Sequence, residues 1–481
     1  MNYYENPILF GEHADPSILL DGEDYFMVFS SCFGNDGLMQ MWHSTDLIGW
    51  EPLYYVLDSS IVQNAWAPEL VKYKDTFYIY NYSPEKGCFV TTTKDIRKGN
   101  WSDPVFLENV EGIDPGHVTD PAGKRFLIMS GNRLYPLSED GMRVTGPGIK
   151  ICDEWKIPDE IDVEGSFPEG PKFFKRNGYY YLTIAQGGTV GPATSHGTVS
   201  YRSKDLLGPY ELSPYTPVIH TESKREKWWS KGHSTVFRGK DGNWYMVYHA
   251  IENGNRYAGR ICLLMPVVWD GEDWFYVSPE DAVKIPCPHK AEKKELSQYL
   301  QFHKGMEELG PLYNFCTREG RNRTRFTECG MELTGCGASE PGMNGMITFQ
   351  HQSHRFSYTV SLQADPEAVF SIGFWFSETL NCGIYAKGNT VGLFKHGKKQ
   401  FEQENIRLSD EKMDLRMVSR DGIVSFWYKE KREAQWHKMI HAYDVADWNP
   451  NVSGGFGYAR SNLQIFGNGN VIVEKIVYEN L

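Results

Sequence analysis

Four acidic residues and one histidine recur at one place in a repeated sequence unit, each beside Pro or Gly. They are Asp15-Pro16, Pro68-Glu69, Asp114-Pro115, Glu169-Gly170-Pro171 and Gly232-His233. Each falls once per unit, spaced about 45–65 residues apart. Carboxylates brought to one point repel one another and lose hydration, a cost that no structural role obviously repays. The chemistry such a set supports is general acid–base work, with one carboxylate ionised to take a proton and another kept neutral to give one. Asp before Pro is also a common turn starter, so a single Asp-Pro reads more readily as a turn. Asp120-Pro121 is of that kind, inside a hairpin turn, and is assigned no chemistry. Asp162 and Glu164 precede the repeat position and read as loop charges.

The elements that must position these residues are short strands. The unit is a short apolar strand, a tight polar turn, an aromatic-rich strand, a third strand and a polar tail. It runs from Ser17-Ile18-Leu19-Leu20 through Asp21-Gly22-Glu23-Asp24 to Tyr25-Phe26-Met27-Val28-Phe29. It returns at Leu70–Tyr80, His117–Met129, Lys172–Thr183 and Thr235–Tyr248, each turn carrying Gly, Asp or Asn. Those residues supply positive φ or a side chain that bonds its own backbone. Tails such as His43-Ser44-Thr45-Asp46 and Thr92-Thr93-Lys94-Asp95 repeat as well. Five such units suit the four-stranded blades of a β-propeller, whose first strands line the central channel. Equivalent residues then converge at one mouth. A plain β-sandwich is the competing arrangement, but it has no reason to repeat with this period.

Bulk properties narrow the partners. The chain has 481 residues, enough for two domains, and a formal net charge of −13, which argues against nucleic acid. No segment reaches the roughly 20 apolar residues that span a bilayer. Nine cysteines without CxxC spacing argue against a disulfide framework or zinc site. The chain opens Met1-Asn2-Tyr3-Tyr4 with no basic stretch before an apolar run, so a cytoplasmic, reduced protein is expected. Asn81-Tyr82-Ser83 and Asn322-Arg323-Thr324 are then chance matches to the glycosylation triplet. Oligomeric state is not readable.

With these motifs in this order, the chain closely resembles glycoside hydrolase family 43. The matching residues are Ala14-Asp15-Pro16-Ser17, Trp66-Ala67-Pro68, Gly112-Ile113-Asp114-Pro115, Glu169-Gly170-Pro171, Gly187-Gly188-Thr189, Gly232-His233 and Gly259-Arg260. The resemblance implies an all-β fold, with a five-bladed propeller over 1–285. A polar connector follows over 286–304, then a concanavalin- or laminin-G-like β-sandwich over 305–481. The sandwich reading also rests on alternation in stretches such as Arg355–Leu362 and Phe370–Phe376. In similar β-xylosidases that sandwich packs on the propeller and helps close the pocket; a detached sugar-binding module is the rival. The basic residues Arg318, Arg321, Arg323 and Arg325 read as a solvated turn.

By the same resemblance Asp15 is the general base, Glu169 the general acid, and Asp114 the neighbour that raises and orients the acid. Trp66, Phe33, Arg260, His233 and Thr189 are the expected sugar-binding residues. Blade packing is the bland role for both aromatics. The resemblance implies that His233 either binds a structural calcium through water or simply hydrogen-bonds; the chemistry requires no cofactor and no EF-hand loop occurs. Glu69 is not one of the family's three acids; it either shapes a polar subsite or turns away from the channel. The expected reaction is inverting release of a terminal pentose, β-D-xylose or α-L-arabinofuranose, from an oligosaccharide. Exo-acting arabinanase or galactanase activity is the enzymatic alternative. A non-catalytic carbohydrate-binding propeller is the alternative of another class, disfavoured because a binder needs no matched acid and base.

Overall fold

The computed structural model describes residues 2–31, 34–277, 285–287, 292–296, 298–303, 305–306, 309–395, 401–449 and 457–481. Among them the chain is almost wholly β, its helical parts being Arg318–Asn322 and two single 3-10 turns. It divides into two compact units. The first holds Met1–Phe33, Gly37–Asn253 and Arg260–Lys294; the second holds Gly34–Asp36, Gly254–Gly259 and Glu295–Leu481.

The first unit is a five-bladed β-propeller. Its blades open with the strands Ser17–Asp21, Trp66–Tyr73, Gly116–Thr119, Glu169–Arg176 and Trp228–Arg238. Each opening strand pairs antiparallel with the next in sequence, and four strands follow in order in every blade, with one extra pairing in blade four. The hairpin turns are those their residues demand. Asn177 and Gly178 have φ of 49° and 80° and join paired Arg176 and Tyr179, a two-residue turn of the kind that matches strand twist.

The core sits between blades rather than inside one. Phe26, Val28, Met39 and Met41 of blade one pack with Leu70, Phe77, Ile79 and Phe89 of blade two. Tyr78, Tyr80 and Val90 then meet Leu127, Met129 and Tyr135 of blade three, and Val118, Ile128 and Leu134 meet Leu182, Ile184 and Val199 of blade four. Burying each such side chain contributes about 1.5–3 kcal/mol, so the interblade seams set how far apart the opening strands stand. The ring closes through the N-terminal segment. Leu9 bridges Cys262, the Asn6 amide donates to the Leu264 carbonyl at 3.0 Å, and the His13 N–H donates to the Arg260 carbonyl at 2.8 Å. That closure lays Glu12 and His13 along the blade-five strand Arg260–Trp269, a few residues before Asp15.

The second unit is built from one eight-stranded and one seven-stranded antiparallel sheet. In the strand Arg355–Ala364, Phe356, Tyr358, Val360 and Leu362 are buried apolar residues in alternation with Ser357, Thr359 and Ser361. The stretch read as a connector supplies a strand near each end. Ile285–Cys287 pairs with Asn2–Tyr4 of the propeller, and Gln298–Gln301 pairs with Asn470–Asn480 of the second unit. Proline and charge hid those short pairings from a reading of the sequence.

Candidate active site

The five blade openings share one backbone conformation. Asp15, Ala67, Asp114, Gly170 and His233 have φ of 56°, 44°, 57°, 58° and 49°. Left-handed backbone costs roughly 1–2 kcal/mol for a residue with a Cβ, and such strain persists only where the surroundings over-determine it. The register this conformation defines sharpens the sequence repeat. Glu69 lies two residues beyond its blade's left-handed position and Glu169 one residue before it, so the five polar residues occupy more than one level.

The level two residues further on plugs the channel. It comprises Ser17, Glu69, Gly116, Lys172 and Thr235. Lys172 Nζ lies 2.6 Å from Glu69 Oε2, with side chains only 4% and 8% exposed, and also donates to the Pro68 carbonyl at 2.8 Å. Glu69 Oε1 accepts from the His117 N–H at 3.2 Å, and Thr235 Oγ1 donates to the Pro16 carbonyl at 2.7 Å. A Cβ on Gly116 would come 2.1 Å from the Pro171 carbonyl oxygen, so only glycine fits there. Glu69 therefore turns into a buried ion pair beneath the mouth, and Lys172, unremarked in the sequence, is its partner.

At the mouth, Asp15 is the best-supplied acceptor. Oδ1 lies 3.1 Å from His233 Nδ1, 3.2 Å from His249 Nδ1 and 3.5 Å from Arg260 Nη1. Oδ2 accepts from Ser30 Oγ at 2.5 Å, and Ser30 Oγ in turn accepts from the Ala67 N–H at 2.6 Å. Burial alone would raise the Asp15 carboxyl, but His233, Arg260 and His249 outweigh it and hold it well below the ordinary range. Burial pushes His233 down to about 3 and His249 to about 4. Both are thus neutral at physiological pH; His233 faces Asp15 through Nδ1, His249 Nδ1 accepts from the Asp15 backbone N–H at 3.2 Å, and Arg260 supplies the charge. Arg260 is itself fixed by Glu12, which accepts from Nε at 2.9 Å and from the Arg260 backbone N–H at 2.6 Å.

The other two carboxyls are pushed the opposite way. Burial first, then the charges of Asp114 and Asp15, raise Glu169 well above its ordinary value. Burial and Asp15 raise Asp114 to about 7, against the pull of Lys172 and the Gly170 N–H, which donates to Asp114 Oδ2 at 3.1 Å. Donor atoms of Asp114, Glu169 and His233 all lie within 4.8 Å of one another. The site thus holds one carboxylate kept ionised and one carboxylic acid kept neutral, the separation that general base and general acid require.

Sequence-named residues fall in different places around this centre. Asp15, Asp114, Glu169, His233 and Arg260 come together. His233 and Arg260 both turn to Asp15, so they steady that carboxylate. Trp66 is half-buried, its ring 6.3 Å from Tyr82 and its indole N–H without a partner among the described residues. Thr189 is buried in the glycine loop that follows the strand Tyr179–Gln186. Phe33 lies outside the described residues. Glu164, read as a loop charge, reaches that same glycine loop: a Cβ on Gly188 or Gly191 would collide with its carboxylate. Its charge adds to the rise of Glu169. Glu12, Ser30, Lys172 and His249 were not legible, and neither was His196, whose ring stacks on His249 at 5.2 Å.

Comparison with known proteins places this geometry. The profile of Glycosyl hydrolases family 43 matches residues 4–275. A non-reducing end α-L-arabinofuranosidase of Bacteroides ovatus is 32% identical over 299 residues, 58% of this chain and 54% of its own length. A xylosidase/arabinosidase of Butyrivibrio fibrisolvens is 30% identical over 329 residues, 61% of this chain and 60% of its own. The chain therefore spans little more than half the length of these curated relatives. The crystal structure of the GH43 protein BlXynB from Bacillus licheniformis superposes with a TM-score of 0.86 over 100% of both chains at 22% identity, a likeness of fold.

Proposed function

The chain belongs to glycosyl hydrolases family 43, and from that premise we propose that it hydrolyses the glycosidic bond of a terminal pentose in an oligosaccharide. The observation that carries this reading is the opposed tuning of Asp15 and Glu169 within one buried cluster. Glu169 keeps its proton and protonates the leaving oxygen. Asp15, ionised and steadied by Ser30, His233 and His249, takes a proton from the attacking water. Asp114 keeps Glu169 protonated and orients it through the adjacent Gly170, whose N–H donates to Asp114 Oδ2. Inversion of configuration follows from a base that activates water instead of attacking the sugar. The names of the similar relatives, xylosidase and arabinofuranosidase, support β-D-xylose or α-L-arabinofuranose as the sugar.

No metal is part of this mechanism. Calcium takes six to eight oxygen ligands, whereas the grouped donors near His233 are one ring nitrogen and two carboxyls. One of those carboxyls must stay protonated to act, so the residues do not fit the ion. Chelation is expected to leave turnover unchanged.

The test is leaving-group dependence. Glu169→Gln is expected to lose about 10²–10⁴ in turnover of an unactivated xylo- or arabino-oligosaccharide, and much less on an aryl glycoside whose leaving group needs no proton. Equal losses on both substrates would sink the acid assignment.

A further inference from the structure

We propose that the second unit carries a separate binding groove for an oligosaccharide bearing uronic-acid carboxylates. The groove, about 620 Å³, lies on the solvent side of the eight-stranded sheet. Strand alternation builds it. Arg416, Val418 and Arg420 point outward from the strand Lys412–Arg420, while Leu415 and Met417 are buried. Ile423, Ser425 and Trp427 point outward from Ile423–Glu430, and Lys438 and Ala442 from His437–Asp444. Register sets Arg416 beside Trp427 and Trp427 beside Lys438.

Three properties define the occupant. Two half-buried indoles, Trp427 and Trp436, give the flat apolar faces on which sugar C–H groups pack. The Trp427 indole N–H is buried without a partner among the described residues, a donor left for a ligand oxygen. The groove is also cationic. Arg416, Arg420 and Lys438 line it against the single acid Glu479, in a chain whose net charge is −13. The Arg416 guanidinium lies 3.9 Å from the Trp436 ring centroid, with its Nε on Thr359 Oγ1 at 2.9 Å. Arg420 and Lys438 have no acidic partner among the described residues. A neutral sugar has no use for this surplus, whereas a uronate carboxylate pairs with a guanidinium fork while its ring covers an indole. The volume suits a few sugar residues.

This groove goes beyond the catalytic reading, and its test does not need turnover. The full chain carrying Glu169→Gln is run in native gels containing glucuronoxylan, carboxyl-reduced glucuronoxylan, or heparin. Retardation by glucuronoxylan is expected, weakened at least about tenfold when Trp427→Ala or Arg420→Ser is added, and weakened likewise on the carboxyl-reduced polymer. Arg420 is exposed, so its variant keeps the test valid if Trp427→Ala lowers the unfolding midpoint. In the otherwise native chain both substitutions are expected to leave aryl-glycoside turnover unchanged. No retardation, equal retardation by the reduced polymer, retention of binding in both variants, or stronger binding to heparin than to glucuronoxylan would overturn the proposal.

Discussion

Two carboxyls at one channel mouth are driven apart by their surroundings, and this has consequences at single positions. Asp114→Asn removes one of the charges that raise Glu169, so the alkaline limb of kcat/KM against pH should move to lower pH. It should not return to the ordinary carboxyl range, because burial is the larger cause and is unchanged. An alkaline limb that does not move would remove Asp114 from that role. Glu169 also bears on stability. Its folded pKa is raised, so between about pH 4.3, where the unfolded chain releases the proton, and that raised value, stability falls as pH rises. Glu169→Gln cannot titrate and should be more stable than the native chain at pH 8, by roughly 1–2 kcal/mol, as measured by denaturant unfolding. Asp15, Asp114, Glu169 and Arg260 were legible because motif order carried them. Ser30, Glu12 and His249 were not, since Ser30 and His249 meet Asp15, and Glu12 meets Arg260, from different strands or loops, and nothing in their local sequence sets them apart.

At the scale of the element, the opening strand of each blade does two jobs in three residues. In blades one, three and five the left-handed residue, Asp15, Asp114 or His233, carries the functional group at the mouth, and in blade four Glu169, one residue earlier, does. The residue two beyond the left-handed position lies at the channel level below. Removing one partner of the buried Lys172–Glu69 pair leaves an uncompensated charge, which costs about 3–5 kcal/mol. Lys172→Met alone should therefore lower stability by about that much, while Lys172→Met with Glu69→Met should recover most of the loss in chemical denaturation. A fully additive double variant would mean the pair is not coupled. The hairpins, blade count and second all-β unit were visible because period-two alternation and turn residues are local signals. The two levels of the channel were not, because a one- or two-residue offset within a repeat becomes visible only through φ. Lys172 for that reason read as an ordinary strand lysine.

Across the propeller, five histidines are held neutral by burial. His13, His196 and His249 are lowered to about 4, and His117 and His233 to about 3. For a histidine whose folded pKa is depressed, the unfolded chain gains protons first as pH falls. Below about pH 6.5, stability is lost at about 1.4 kcal/mol per pH unit for each, until the folded pKa is reached. With five histidines set against the two raised carboxyls Glu169 and Asp114, the midpoint of thermal unfolding should fall between pH 6.5 and pH 4, and above pH 7 it should follow the carboxyls and decline gently as pH rises. A flat acid limb would mean that these imidazoles are solvated or charged. The ring is consequently the scaffold that buries these groups, and that burial raises Glu169 while His233, Arg260 and His249 hold Asp15 down. The most direct measurement is ¹H NMR of the sugar first released from aryl β-D-xyloside and aryl α-L-arabinofuranoside, before mutarotation. On whichever substrate is cleaved, the first-formed anomer should be opposite to that of the substrate; a retained anomer, or no release from either, would contradict Asp15 as a base acting through water.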